Sequence, residues 1–355
     1  MFFNRKVRYL RFIEYTLKMD FKRLMIFAAS ALLISGFVSC KKDKNDDTYT
    51  SSKTLPGTLS IKVPRFVEKG TVLVLEPKGI DTDTVDFGFY WTASPLYTAK
   101  DTTRRADDPK SVTGAYTLNV KDTLCTMTVS CTVFAKGYST QTVSAYCTVV
   151  DPALGGTLTE SGVEEDEHFT DSRDGRTYYY KTIGNRDWLT RNVEWTGAGK
   201  SFEDCDVMDD IYGRYYTWSE AQAACPEGWR LPSDDDWLDL AKSAGYAGED
   251  ADVSFLGIGG AMMADAYFNL DKMWEFWPNV KITNATGFSA IPAGFGSKSS
   301  SSVKYGSDFE YAVFWSAENN EETGVYRMIN VNRPDLMRGE LNKGSFIASV
   351  RCVRK

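Results

Sequence analysis

The sequence predicts a multidomain chain in which an all-β sandwich precedes an irregular α+β domain. Three observations carry this. The 355 residues are 43 % hydrophobic and 25 % charged, enough for packed cores and long enough for two or three domains. Between about Leu55 and Asp151 apolar residues alternate with polar ones, the period of a half-buried strand. Beyond residue 170 the texture changes: eight of the nine tryptophans lie there, among helix caps and Gly- and Ser-rich stretches. A net charge of −7 argues against a nucleic-acid partner. The one histidine, His168, sits in an acidic run, which excludes His-rich zinc chemistry and leaves a Ser-His-Asp triad badly placed.

Residues 1–40 read as an address. From Met19, Lys22 and Arg23 precede an uncharged stretch from Leu24 to Ser39, and Cys40 follows. A basic start, a short apolar run and small residues describe a secretory signal. Its 16 residues fall short of the roughly 18–20 that a spanning helix needs. Leu33-Ile34-Ser35-Gly36-Phe37-Val38-Ser39-Cys40 resembles a bacterial lipobox, with Phe37 in place of the favoured Leu. The resemblance makes Cys40 the lipidated first residue, the membrane a partner through that anchor, and the outer-membrane surface the expected location. Residues 1–39 carry seven Lys/Arg and two Asp/Glu, so the mature chain has 34 basic and 46 acidic residues, net −12. Residues 41–54, which open on Lys41-Lys42-Asp43-Lys44-Asn45-Asp46-Asp47, read as a flexible tether.

Strands are expected across 55–151. Leu59, Ile61 and Val63 alternate with polar residues, as do Val72 and Val74, Phe87 and Phe89, and Met127, Val129, Cys131 and Val133. Turn signals such as Glu68-Lys69-Gly70 and Lys136-Gly137-Tyr138 separate them, the spacing of a β-sandwich. The segment resembles immunoglobulin-like modules of bacterial surface proteins, which implies a stalk. Beyond Cys40 six cysteines remain, and three disulfides among them allow fifteen connectivities. A hairpin about Lys136-Gly137-Tyr138, with Cys131 and Cys147 each eight residues from Ser139, predicts a Cys131–Cys147 pair.

Residues 152–169, rich in Gly, Thr and Glu, read as a linker, and 170–355 as the second domain. Thr217-x-x-Glu220 is a capping box ahead of Ala221 and Ala224. Ser233 starts a second helix whose apolar stripe is Trp237, Leu240, Ala241 and Ala244, and Gly245 ends it.

Within this domain, Asp171-Ser172-Arg173-Asp174-Gly175-Arg176-Thr177-Tyr178, Ile183-Gly184-Asn185-Arg186-Asp187-Trp188 and Arg191-Asn192-Val193 resemble the opening of the Fibrobacter succinogenes major paralogous domain. Tyr212-Gly213-Arg214-Tyr215-Tyr216-Thr217-Trp218 and Ala224-Cys225-Pro226-Glu227-Gly228-Trp229-Arg230-Leu231-Pro232-Ser233 are similar to its central signature. Gly287-Phe288-Ser289-Ala290-Ile291-Pro292-Ala293-Gly294-Phe295, Phe314-Trp315-Ser316 and Val350-Arg351-Cys352-Val353-Arg354 resemble its closing ones. Leu189-Thr190 departs from the family's usual Met-Ala. The resemblance implies a fold related to C-type lectins and the formylglycine-generating enzyme, on exported proteins without an established reaction. In that fold a Cys225–Cys352 bridge joins a helix to the last strand and closes the domain.

Fold kinship does not carry function, so the expected site rests on residues. A lectin's calcium pattern is only approximated by Asn332-Arg333-Pro334-Asp335 and Trp315-Ser316-Ala317-Glu318-Asn319, with Arg333 where an oxygen ligand belongs. Glu203-Asp204-Cys205-Asp206 with Asp209 and Asp210 lacks EF-hand order. No metal or other cofactor is therefore expected, calcium being the one candidate ion. Abundant carboxylates do not by themselves make an acid/base pair, and the chain is expected not to be an enzyme. Long loops are expected to carry recognition: 274–284, 296–306 and 330–343. They offer Trp274 and Trp277 as flat faces, the alternative being that both fold back as core, and Arg333, Asp335, Arg338 and Asn342 as polar groups. The reading is a surface lipoprotein with a non-catalytic binding or adhesion role toward an extracellular glycan or protein. The alternatives are a glycan-active or modifying enzyme and a structural surface component.

Overall fold

In the computed structural model the alternation of the first half becomes, among the described residues, nine strands around one core. The structure describes residues 53–80, 87–94, 97–102, 114–120, 123–135, 137–153, 157–158, 167–274, 280–300 and 302–354. Cys40 and Trp277 lie outside them. The strands are β1 (Gly57–Ile61), β2 (Phe66–Glu68), β3 (Val72–Leu75), β4 (Pro77–Ile80), β5 (Phe87–Ser94), β6 (Tyr97–Thr102), β7 (Tyr116–Asn119), β8 (Thr126–Ala135) and β9 (Gln141–Val150). A five-stranded sheet runs β2-β9-β8-β5-β6, and β1-β4 and β3-β7 form separate pairs. Inward residues of all three, among them Leu59, Leu75, Trp91, Leu118, Val129 and Val149, share one buried cluster.

The β8–β9 hairpin corrects the Cys131–Cys147 pairing. Val133 faces Gln141, Cys131 faces Val143, and Cys147 faces Met127. The hairpin therefore centres on Gly137, whose positive φ of 83° makes the turn, and not on Ser139. That two-residue shift keeps both cysteines on the inward face but sets them four positions apart along the ladder, about 13 Å. No disulfide spans that distance. Cys131 and Cys147 are free and buried, as is Cys205, and Cys125 is free and half-buried.

In the second half, β11 (Glu167–Thr170), β12 (Thr177–Ile183), β13 (Arg186–Leu189), β14 (Trp229–Arg230) and β23 (Val353–Arg354) form a sheet in the order β11-β12-β13-β23-β14. The last strand thus inserts between β13 and β14. Strands β10 (Thr157–Leu158), β15 (Ala266–Phe268) and β16 (Asp271–Lys272) make a second sheet. Within 152–169, β10 and β11 are thus already paired with the C-terminal half. Strands β17 (Phe295–Lys298), β18 (Val303–Gly306) and β22 (Phe346–Ile347) make a third. A fourth runs β19 (Tyr311–Asn319), β20 (Thr323–Asn330), β21 (Arg333–Asn342). The chain is thus β-rich, with several sheets and two short capped helices.

Both predicted caps form. Thr217 Oγ1 accepts from Glu220 N–H and the Glu220 carboxylate accepts from Thr217 N–H, opening the helix Trp218–Ala224. Ser233 and Asp236 do the same for the helix Asp234–Ser243, and Gly245 at φ 99° follows its end. Trp237 from that helix packs on Trp188 and Phe288 at ring separations of 4.8 and 5.7 Å. Cys225 and Cys352 are bonded, 127 positions apart, which anchors the strand β23 behind the helix Trp218–Ala224.

The described residues fall in one compact unit, Tyr49–Lys355. Phe66 of β2 packs its ring against Phe202 at a tilt and edge-on against Phe268, at 5.8 and 6.2 Å. Asn269 Nδ2 donates to Val149 O at 2.7 Å, and Val150 belongs to the same buried cluster as Phe202, Met208 and Tyr215. The N-terminal β region is thereby packed on the C-terminal one.

Candidate functional site

The residues expected to bind a ligand are not gathered in one place. Trp274 is 5 % exposed, its indole N–H donates to Ala290 O at 3.2 Å, and it packs in the main core. It is corrected from a binding face to a core residue. Trp277 falls outside the described residues. The expected loop 330–343 is mostly the strand β21, paired with β20 from Thr323↔Asn342 to Asn330↔Arg333. Arg333 and Asn342 therefore lie at opposite ends of a strand about 30 Å long. Asp335 accepts from Gly257 N–H at 3.0 Å, Arg338 is pinned by Asp234 at 2.8 Å, and Asn342 Oδ1 closes the turn to Gly344 and Ser345. Each is committed to holding the fold.

A different set converges on one cleft. Its walls are Thr177, Tyr178 and Tyr179 of β12, Thr190, Arg191, Asn192 and Glu194 after β13, and Asp209, Asp210, Ile211 and Gly213 around the short helix Asp209–Tyr212, with Ser289, Ile291 and Arg351. Backbone bonds hold these segments together. Val193 N–H donates to Val350 O, Arg214 N–H to Val193 O, and Gly213 N–H to Asp209 O, each at 2.9 Å. Gly213 has φ 74°, and a Cβ there would lie 2.5 Å from Asn192 Cβ. Only glycine lets the two walls approach so closely.

Arg351 lies beneath this cleft, 1 % exposed. Its guanidinium donates to Asn192 Oδ1 at 2.7 Å and to the carbonyls of Leu189, Phe288 and Ser289 at 3.0, 2.6 and 2.9 Å. It also lies over the Phe288 ring at 4.8 Å. Burial, and then the charge of Arg191, push its pKa down to about 9, so it stays cationic at neutral pH. Asn192 is locked in turn, its Nδ2 donating to Tyr212 O at 2.7 Å.

The acidic side is equally fixed. Asp209 is 2 % exposed. Its Oδ2 accepts from Arg214 at 2.5 Å, while its Oδ1 has no hydrogen-bond partner. Burial pushes the Asp209 carboxyl above its usual range against the pull of Arg214 and Ser201. Glu194 is raised for the same reason against the pull of Arg176, which it meets at 2.9 Å. Burial disfavours the charge of Arg176, but the Asp210 and Glu194 carboxylates outweigh it and hold that group above its usual value. Tyr179, 39 % exposed, is the aromatic at the rim.

Chemically, the cleft is lined by hydroxyls, the Arg191 guanidinium and a rim ring, with the fixed Arg351, Glu194 and Asp209 in its walls, Asp209 Oδ1 being buried and unpartnered. Among the described residues no group of three or more His, Cys, Asp and Glu is placed to hold a metal ion.

Residues 182–354 match the model of the Fibrobacter succinogenes major domain, the family whose motifs the sequence resembles. No curated protein and no solved structure matches the chain. Most of the cleft was missed in the sequence because its members are scattered from Thr177 to Arg351. A signal was present: Arg191-Asn192, Tyr212-Gly213, Ser289 with Ile291, and Arg351 all sit inside the segments by which the resemblance is recognised.

Proposed function

We propose that this chain is an exported lipoprotein, anchored through Cys40 at the outer-membrane surface, whose C-terminal domain binds an extracellular glycan without catalysis. In this reading the N-terminal β region is an immunoglobulin-like stalk and the C-terminal domain a lectin-like fold. The observation that carries the reading is the cleft itself. Asp209 keeps one buried carboxylate oxygen unpaired at the cleft, and such a group gains most from a ligand hydroxyl or ammonium donor. Asp210, Arg191 and the Tyr179 ring stand around it, groups that suit a sugar's hydroxyls and apolar face.

The raised carboxyls of Asp209 and Glu194 in one cleft favour a second reading, an acid/base pair for glycoside hydrolysis. Against it, each is bound to an arginine, Arg214 and Arg176, an arrangement that holds charge in place. One experiment separates the two. Residues 41–355 are tested on a glycan and protein array with and without calcium, beside Tyr179→Ala and Asp210→Asn, two positions exposed enough to spare the fold. The proposal expects glycan binding that both substitutions weaken and no product. Turnover of a glycan overturns it in favour of the enzyme, and binding indifferent to both substitutions removes the cleft. The anchor has its own test: Cys40→Ser releases the protein from the membrane fraction or blocks its processing, and unchanged processing contradicts it.

A further inference from the structure

The outward face of the N-terminal sheet is a regular field of hydroxyls. The register sets Tyr90 beside Thr132, Thr92 beside Ser130 and Ser94 beside Thr128. It continues Thr132 to Thr142, Ser130 to Ser144 and Thr128 to Tyr146. Three rows of three side chains result, every one bearing a hydroxyl and none a charge. In a chain of which 25 % of residues are charged, nine adjacent surface positions without one make this face distinctive. Ser130 and Ser144 share a hydrogen bond of 2.8 Å, as do Thr132 and Thr142. Each such pair spends one donor and one acceptor, leaving a further donor and several lone pairs for a ligand.

Aromatic rings stand at two corners of the field. Tyr146 is 51 % exposed, and Tyr90 is half-buried at the diagonal corner. With strands about 4.8 Å apart and same-face residues about 6.8 Å apart along a strand, the two rings lie about 17 Å from each other, the span of three or four sugar rings. We infer that this face binds an uncharged polysaccharide chain laid diagonally across β5, β8 and β9, its hydroxyls met by the Ser/Thr rows and its ring faces by Tyr146 and Tyr90. The neutrality of the field selects a neutral chain, and the net charge of −12 on the mature protein repels acidic ones. This surface is separate from the cleft and gives the N-terminal region a role beyond that of a spacer.

The test uses residues 41–355 in affinity electrophoresis against amylopectin, mixed-linkage β-glucan, galactomannan and arabinoxylan, with polygalacturonate as the acidic control. At least one neutral polymer retards the protein and polygalacturonate does not. Tyr146→Ala weakens that binding roughly five- to tenfold, the worth of one aromatic contact, and leaves the melting temperature within a few degrees. The double substitution Thr142→Val with Ser144→Ala weakens it as well, whereas Tyr179→Ala at the cleft does not. The inference is overturned if no neutral polymer retards the wild type. It is equally overturned if both sheet variants bind like wild type, or if only Tyr179→Ala abolishes retardation.

Discussion

Replacing Cys225 and Cys352 together by alanine will remove the closure of the C-terminal domain, and the cost can be worked from the chain. The bridge spans 127 positions. The loop-closure entropy that such a link takes from the unfolded chain corresponds to about 5 kcal/mol at 25 °C. For a unit of this size that is a fall of about 10 °C in melting temperature. Both residues are buried, Cys352 fully, and Cys352 O accepts from Leu189 N–H at 3.0 Å, so fraying of β23 will accompany the loss. Scanning calorimetry on oxidised wild type and the double variant reads the effect directly. Native alkylation followed by peptide mapping is the companion assay. Cys225 and Cys352 stay unlabelled, and Cys131 and Cys147, whose thiols burial pushes up to about 12, react only after denaturation. A melting temperature within 3 °C of wild type, or a native Cys225 that takes the label, refutes the structural role of the bridge.

Three further outcomes follow from the core and the caps. Burial opposes ionisation of Asp236, but Arg230 at 2.5 Å and the Ser233 N–H and hydroxyl outweigh it and hold the carboxyl below its usual range. A depressed carboxyl adds stability above its ordinary pKa of about 3.9 and loses it as the pH falls through the lower folded value. Asp236→Asn therefore costs about 2 kcal/mol at pH 7, allowing for the partial exposure of its arginine partners, and the gap between variant and wild type closes on acidification below that range. A gap unchanged down to pH 2 contradicts the assignment. Trp274→Ala costs about 3–5 kcal/mol in denaturant unfolding, as for a core tryptophan, and a loss below 1 kcal/mol returns it to the surface. Gly213→Ala costs about 3 kcal/mol through its positive φ and the collision with Asn192, and unchanged stability shows that the walls of the cleft are free to move apart.

Local chemistry was legible in the sequence wherever one segment decided it. The two capping boxes and the stop at Gly245 depend on residues three or four apart, and they form as read. The alternation in β8 gave the right faces, since Met127, Val129, Cys131 and Val133 all point inward. It gave the wrong cysteine partner, because moving the turn by two residues slides the pairing by four without changing the face. Strand β21 was hidden by its composition: Arg333, Pro334, Arg338 and Glu340 read as loop. The strand tolerates them because it is the edge of β19-β20-β21, where a proline near its start forfeits no central hydrogen bond. Trp274 was misplaced because its neighbours gave no period, and its burial depends on Ala290, sixteen positions on. The cleft was the least legible feature. Glu194, Asp209 and Arg351 come from three distant stretches of chain, joined by the Arg214–Val193 and Val193–Val350 backbone bonds and by the insertion of β23 beside β13.

The central claim is that a ligand occupies the cleft formed by β12, the segment after β13 and the turn at Gly213. Hydrogen–deuterium exchange on residues 41–355, with and without whichever glycan of the array binds, tests it most directly. The account predicts slowed exchange in 177–179, 190–194 and 209–213, with β20 and β21 unchanged and the glycan recovered intact. Protection that leaves all three of these segments unchanged, whether it falls on β20 and β21 or on β5, β8 and β9, or a cleaved glycan, would contradict it.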